Sequence, residues 1–174
     1  MASERQIGTK VDKKRITLAF IVNATGTETV NPIVIGHHKN PHCFKGWNPN
    51  TIVSYYFNAN AWMTMEIFSD WLLKLDKQMR LLDRHILLLL DNAGGHNVTE
   101  DVKKQLSHVS LEFFDPNVTS HIQPLDMGII RSAKANYKKG LVKHCLVKIE
   151  EKGEIVMPTI KESIIMIKNA WKKV

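Results

Sequence analysis

One uninterrupted apolar segment, ILLLL at residues 86–90, which is followed directly by Asp91, constrains the fold of this chain more than any other feature of its sequence. An apolar run of this length between polar residues predicts a strand buried on both faces, as in the centre of a parallel sheet. Segment 92–95 contains two glycines and ends that strand; a short helix at about 99–106 and a strand at 109–114 are expected to follow. This order predicts a crossover to a parallel neighbour, and hence an α/β fold whose mixed sheet has central parallel strands flanked by helices.

The residues before this segment are predicted to add strands and a helix. Residues 15–23 and 30–35 contain many β-branched side chains and are separated by turn-forming residues, so they predict a hairpin-like pair. A further extended segment is expected at 52–57. Apolar residues then recur every three or four positions over 65–82, which predicts a helix with Thr64 as its N-cap.

Two more helices are predicted towards the end of the chain. The first extends from about residue 124 to residue 150 and is ended by Gly153. Pro158 opens the second, whose apolar face contains Ile164 and Trp171. No internal repeat interrupts this order, so the length of 174 residues fits one domain.

Composition narrows the class of partner. The formal net charge of +7 favours a polyanionic partner such as nucleic acid, although a basic surface without a function gives the same value. Two well-separated cysteines argue against a disulfide framework, and no apolar run approaches the roughly 20 residues that span a bilayer, so no membrane partner is expected. His37, His38, His42 and Cys43 lie close together in the sequence, but their spacing fits no standard zinc site.

Two aspartates are candidates for metal binding. Asp91 ends the predicted central strand, where α/β folds bind ligands, and Asp126 lies at the predicted start of the long helix. Taken singly, Asp91 is also explained as a loop cap and Asp126 as a first-turn acid favoured by the helix dipole. The crossover between them would bring both carboxylates to one end of the sheet, and hard oxygen ligands of this kind suit Mg²⁺ or Mn²⁺.

Five ordered blocks of sequence resemble the DDE superfamily endonuclease domain of Tigger/pogo-type transposases and of their Jerky and centromere protein B-like relatives. The blocks occupy residues 8–28, 32–46, 56–72, 86–96 and 113–139. The resemblance implies an RNase H-like fold, Mg²⁺-dependent cleavage and transfer of DNA strands, and a nuclear location. It also implies three catalytic aspartates, of which the second matches Asp91 in LLLDN and the third matches Asp126 in QPLD. Asn92 and His96 match polar residues after the second aspartate, where structural support is as good an explanation as catalysis.

The chain departs from the family at its beginning. The family's first aspartate belongs to a strand expected before Gly8, so the first strand and one third of the metal site are expected to be missing. We therefore divide the chain into a polar lead-in at 1–14, an RNase H-like core at 15–150 and an incomplete C-terminal helical extension at 151–174. The resemblance implies Mg²⁺ or Mn²⁺ as cofactor, but a fragment with two of three aspartates need not bind it and is expected to be inactive in cleavage.

Basic residues follow the second candidate aspartate. Arg131, Lys134, Lys138 and Lys139 begin within a turn of Asp126 and could contact DNA phosphates; a solvated surface face is the alternative. The favoured hypothesis is thus a transposase-derived, nucleic-acid-binding endonuclease domain. The alternative is a domesticated, non-catalytic protein that binds DNA or chromatin, and homodimer formation is left open.

Overall fold

The computed structural model describes residues 15–115, 123 and 125–174, and it shows a mixed α/β arrangement of two small sheets and four α-helices in that part of the chain. The strands are β1 (Thr17–Ala19), β2 (Ile33–Gly36), β3 (Ser54–Phe57), β4 (Ile86–Leu90) and β5 (Val109–Phe113). The helices are α1 (Met65–Leu81), α2 (Glu100–Gln105), α3 (Ile130–Lys152) and α4 (Ile160–Trp171).

The first sheet contains β1, β2 and β3 in that order. β1 and β2 are antiparallel, with Leu18 opposite Val34, and this confirms the predicted hairpin-like pair. β3 is parallel to β2, so both strands end at the same edge of the sheet. Gly26, with φ of 71°, provides the left-handed position that the turn between β1 and β2 requires.

The second sheet pairs β4 with β5 in parallel, with α2 in the connection between them, as predicted. One expectation is wrong for the described chain: β4 is not buried on both faces, because Leu87 and Leu89 are 60% and 52% exposed. The cause lies in the helices. α1 packs against one face only, and α3 and α4 pack on each other instead of on the opposite face of β4.

Helix α1 joins the two sheets through one hydrophobic core. Thr64 caps the helix as predicted, with its Oγ1 accepting from the Ile67 N–H at 3.4 Å. Phe68, Trp71, Leu72 and Leu75 are buried between α1 and the inward faces of both sheets. Alternate residues of the strands face this core, which is the expected consequence of the two-residue repeat of a β-strand.

Helix α4 covers the other face of the first sheet. Its N-terminus is fixed by a capping box between Thr159 and Glu162. Ile164 and Trp171 are completely or almost completely buried, which confirms the predicted apolar face. The Trp171 ring lies 4.5 Å from the Phe20 ring, and its Nε1–H donates to the Val30 carbonyl at 3.1 Å.

Helix α3 is shorter at its start than the sequence predicted. A separate turn, Leu125–Ile129, precedes it, and the non-helical backbone of Gly128 separates the turn from the helix. The predicted end is confirmed, because Gly153 adopts the left-handed conformation with φ of 75° and caps the helix. Asp126 therefore lies in the turn before the helix and not in its first turn.

Candidate metal and nucleic-acid site

Asp91 follows β4 directly, at the carboxyl end of the parallel pair of strands. Its Oδ1 atom lies 2.5 Å from Nδ1 of His96 and also accepts from the Ala93 N–H at 3.4 Å. These contacts fix the rotamer of the carboxylate by hydrogen bonds from the turn that follows the strand. The structure thus brings together two of the predicted site residues, Asp91 and His96.

The turn that contains His96 is packed closely against the beginning of α1. The His96 ring lies 5.1 Å from the ring of Phe68. A Cβ atom added at Gly95 would lie 2.7 Å from the carbonyl oxygen of Met63, closer than real Cβ contacts approach. Gly95 therefore allows the turn to lie against residue 63, and this packing positions His96 beside Asp91.

Asn92 connects the ends of the two parallel strands. Its Nδ2 donates to the carbonyl oxygen of Phe114, the residue that follows β5. The Phe114 N–H in turn donates to the Leu90 carbonyl at 2.9 Å. Asn92 thus has a structural contact between the ends of these strands, while its part in the predicted site, supporting or catalytic, stays a prediction.

Asp126 is exposed and adjoins a basic cavity on α3. The cavity has a volume of about 490 Å³ and is lined by Asp126 together with Arg131, Lys134 and Lys138. The three basic residues occur at spacings of three and four and so share one face of the helix. Lys139 is exposed but is not among the residues that line the cavity.

The convergence of Asp91 and Asp126 on one metal ion stays a prediction. Among residues 15–115, 123 and 125–174, no three His, Cys, Asp or Glu side chains form a group that could hold a metal ion. Most of the segment that leads to Asp126, residues 116–122 and 124, lies outside the described residues. His37, one of the histidines considered for zinc, has its Nδ1 2.8 Å from the Ala59 carbonyl oxygen.

Comparison with known proteins identifies the family of the chain. The chain belongs to the DDE superfamily endonucleases, whose family model matches residues 13–174. Its relatives include Tigger transposable element-derived, Jerky and CENP-B homologue proteins, which confirms the resemblance found in the sequence. Within the described residues, none of the helices is both long and apolar enough to cross a membrane.

Three of these relatives show how much of each protein is shared. The chain is 30% identical over 165 residues to Tigger transposable element-derived protein 4 of Mus musculus, covering 95% of the chain and 31% of that protein. It is 32% identical over 139 residues to Jerky protein homolog of Homo sapiens, and the match covers 75% of the chain and 24% of that protein. It is 32% identical over 155 residues to CENP-B homolog protein 2 of Schizosaccharomyces pombe, and the match covers 85% of the chain and 30% of that protein. The chain thus spans less than a third of the length of each, and no solved structure matches it.

Proposed function

We propose that this chain is a DNA-binding domain of the DDE endonuclease type, descended from a transposase that cleaves and transfers DNA strands. In this proposal Asp91 and Asp126 are two of the carboxylates that hold Mg²⁺ or Mn²⁺, and Asn92 and His96 support them. The observation that carries the proposal is the Asp91 carboxylate, held by His96 at 2.5 Å at the end of a parallel strand. A carboxylate oriented in this way is a suitable donor for a hard cation.

We propose an RNase H-like fold for the domain, with a core at 15–150 and a helical extension at 151–174. The support is that β1, β2, β4 and β5 all direct residues into the same hydrophobic core against α1. The resemblance to the family implies that its first aspartate belongs to a strand that precedes β1 in sequence.

The chain by itself is proposed to lack nuclease activity. Asp91 and Asp126 would hold a divalent ion in part, and Asn92 and His96 would orient the first of these carboxylates. When bound, such ions supply stabilisation of the attacking and leaving oxygens of a phosphodiester. The proposal assigns two carboxylates to that chemistry, whereas the resemblance to the family implies three. A domesticated, non-catalytic DNA- or chromatin-binding protein is the second candidate function, favoured by this difference in the number of matched carboxylates.

The partner in this proposal is DNA, which implies a nuclear location. The basic face of α3 supports it, because Arg131, Lys134 and Lys138 border one cavity with Asp126. Cations on one helix face can contact successive phosphates, and such contacts are independent of base sequence and sensitive to salt. Formation of a homodimer stays an open part of the proposal.

A salt series tests the DNA-binding part. Filter binding to duplex DNA is expected to show affinity that falls with salt, and Lys134→Gln with Lys138→Gln is expected to reduce the slope of log affinity against log salt by about 2, since each phosphate contact contributes roughly 0.9. Lys77→Gln with Lys104→Gln, exposed positions on α1 and α2, is the charge-matched control. An affinity without salt dependence, or equal slopes for the two double variants, would contradict the proposal.

A nicking assay tests the absence of activity. Supercoiled plasmid incubated with the chain and Mg²⁺ is expected to stay intact. Robust nicking that is abolished by Asp91→Ala would show that the chain supplies a complete metal site, and the proposed inactivity would be wrong.

A further inference from the structure

A basic and aromatic pocket is lined by the segment that connects β2 to β3 and by residues of β3, none of which belongs to the candidate metal site or to α3. The pocket has a volume of about 680 Å³, and the residues that line it lie between positions 39 and 57. We call it pocket 39–57. Lys39, Lys45, Trp47 and Phe57 are among its lining residues, and no aspartate or glutamate is.

The aromatic side of pocket 39–57 is fixed by the core beneath it. The half-buried Trp47 ring packs edge-on against Phe44, with 5.2 Å between ring centroids, and Phe44 packs edge-on against Tyr55 at 5.0 Å. The Tyr55 hydroxyl donates to the His38 carbonyl at 2.8 Å, and burial, with a smaller contribution from Cys43, raises the pKa of Tyr55 to about 12. Trp47 thus has a rigid support, and Phe57 is 46% exposed at the same pocket.

Positive charge surrounds these rings. Lys39 and Lys45 are exposed lining residues. Lys161, at the beginning of α4, places its Nζ atom over one face of the Trp47 ring, 5.4 Å from the ring centroid, so a stacked base would use the other face. An aromatic surface bordered by cations is complementary to a ligand that carries both a planar base and phosphates.

The segment that follows pocket 39–57 in the sequence leads to the turn beside Asp91. The parallel strands β2 and β3 end at Gly36 and Phe57, and the Asn58 N–H donates to the Gly36 carbonyl at 3.1 Å. The chain then continues to Met63, whose carbonyl oxygen lies against Gly95 in the turn that positions His96. A short connected segment therefore links the pocket to the turn beside the candidate metal site.

We propose that pocket 39–57 binds an unpaired nucleotide of a single DNA strand, with the base stacked on Trp47 and the phosphates beside Lys39 and Lys45. Stacking accepts any base, whereas the lysines attract the backbone, so the pocket favours single strands without strong sequence preference. The inference rests on the proposed function and extends it: α3 contacts duplex DNA, and this pocket receives a strand whose bases are unpaired.

The first test separates base stacking from charge without changing the protein. Fluorescence anisotropy measures binding of the chain to oligothymidylate of about 10 nucleotides and to an abasic strand of the same length and charge. We expect the abasic strand to bind on the order of 10-fold more weakly, since it has no ring to stack on Trp47. Equal affinity for the two strands would overturn the proposal.

The second test assigns the effect to the pocket. Trp47→Ala is expected to weaken binding of oligothymidylate on the order of 10-fold, whereas Trp62→Ala, a tryptophan 68% exposed outside the pocket, is expected to leave it unchanged. Lys39→Gln with Lys45→Gln, which changes only exposed side chains, is expected to weaken binding more than Lys77→Gln with Lys104→Gln. Equal effects within either matched set would overturn the proposal, and the lysine set decides the question even if Trp47→Ala does not fold.

Measurements of duplex binding distinguish a failure of the pocket proposal from a failure of the proposed function. The pocket variants are expected to retain the duplex affinity and salt slope of the unchanged chain, because none of the substituted residues belongs to α3 or lines its cavity. Loss of single-strand binding with intact duplex binding supports the pocket. Loss of duplex binding only in the Lys134→Gln and Lys138→Gln variant supports the α3 surface, so either proposal can fail alone.

Discussion

At the scale of single residues, Asp76 is the one fully buried charged side chain among the described residues, and its role is structural. Its Oδ1 accepts from the backbone N–H groups of Ser107, His108 and Val109 at 2.9, 2.7 and 3.0 Å. These bonds join α1 to the beginning of β5. The sequence did not predict this role, because the partners of Asp76 lie more than 30 positions away and the helical pattern marks only apolar residues.

The pKa of Asp76 gives a prediction for stability against pH. Burial alone would raise this pKa, but the three backbone hydrogen bonds outweigh burial and lower it from its ordinary value of 3.8. A lowered folded-state pKa stabilises the protein above pH 3.8, and the contribution is lost as pH falls through the folded-state value. Asp76→Asn is therefore expected to lower the free energy of unfolding by roughly 2 kcal/mol at neutral pH. This difference between the unchanged chain and the variant is expected to disappear in acid, where Asp76 is protonated.

Urea denaturation of both proteins across acidic and neutral pH measures this gap. The asparagine variant is its own control for shape, since it retains an oxygen that can accept the same bonds. A gap that does not change with pH would mean that the charge of Asp76 contributes nothing beyond its shape.

At the scale of elements, most boundaries were predictable because their causes are local. Thr64 before the apolar repeat of α1 and Gly153 after α3 mark helix ends by capping chemistry that depends only on neighbouring residues. The exposed face of β4 was not predictable in this way. Whether Leu87 and Leu89 are covered depends on where α3 and α4 pack, and the apolar run ILLLL is the same in either case.

The turn after β4 gives a prediction with a neighbouring control. Gly95→Ala is expected to lower the free energy of unfolding by about 1–3 kcal/mol, because its Cβ would lie 2.7 Å from the Met63 carbonyl oxygen and the turn must move away from α1. A Cβ atom added at Gly94 would have no neighbouring atom within 4 Å. Gly94→Ala is therefore expected to be neutral or to stabilise the protein by up to about 1 kcal/mol. Thermal melting of the two variants measures the difference in their stability. Similar melting temperatures would contradict the prediction, because they would show that Met63 moves away from the new methyl group without loss of stability.

At the scale of the whole molecule, Trp171 holds the end of the described chain against its first strands. The ring is 1% exposed, lies on Phe20 and donates to the Val30 carbonyl, a residue 141 positions away. The apolar face of α4 was predictable from its spacing, but the sheet that it covers was not. Likewise, the family blocks predicted Asp91 and Asp126 as site residues, while the distance between them depends on a segment that lies outside the described residues.

This long-range contact predicts a global effect of substitution. Trp171→Ala is expected to lower the free energy of unfolding by about 3–5 kcal/mol, through the lost burial and the cavity left beside Phe20. Trp171→Phe is expected to cost less, because it retains most of the ring and loses mainly the bond to Val30. Guanidinium denaturation followed by far-ultraviolet circular dichroism measures both values. If Trp171→Ala had nearly the same free energy of unfolding as the unchanged chain, the packing of α4 on the first sheet would not be required for the fold of that sheet.

The exposed leucines of β4 also give an expectation for how this chain behaves in solution. Leu87 and Leu89 form an apolar patch on a strand that, among the described residues, has β5 as its one partner. A flat apolar surface beside an open strand edge is a template for pairing with other chains. Concentrated solutions of the chain will therefore tend to precipitate through β4, and charged substitutions at positions 87 and 89 will keep it dispersed.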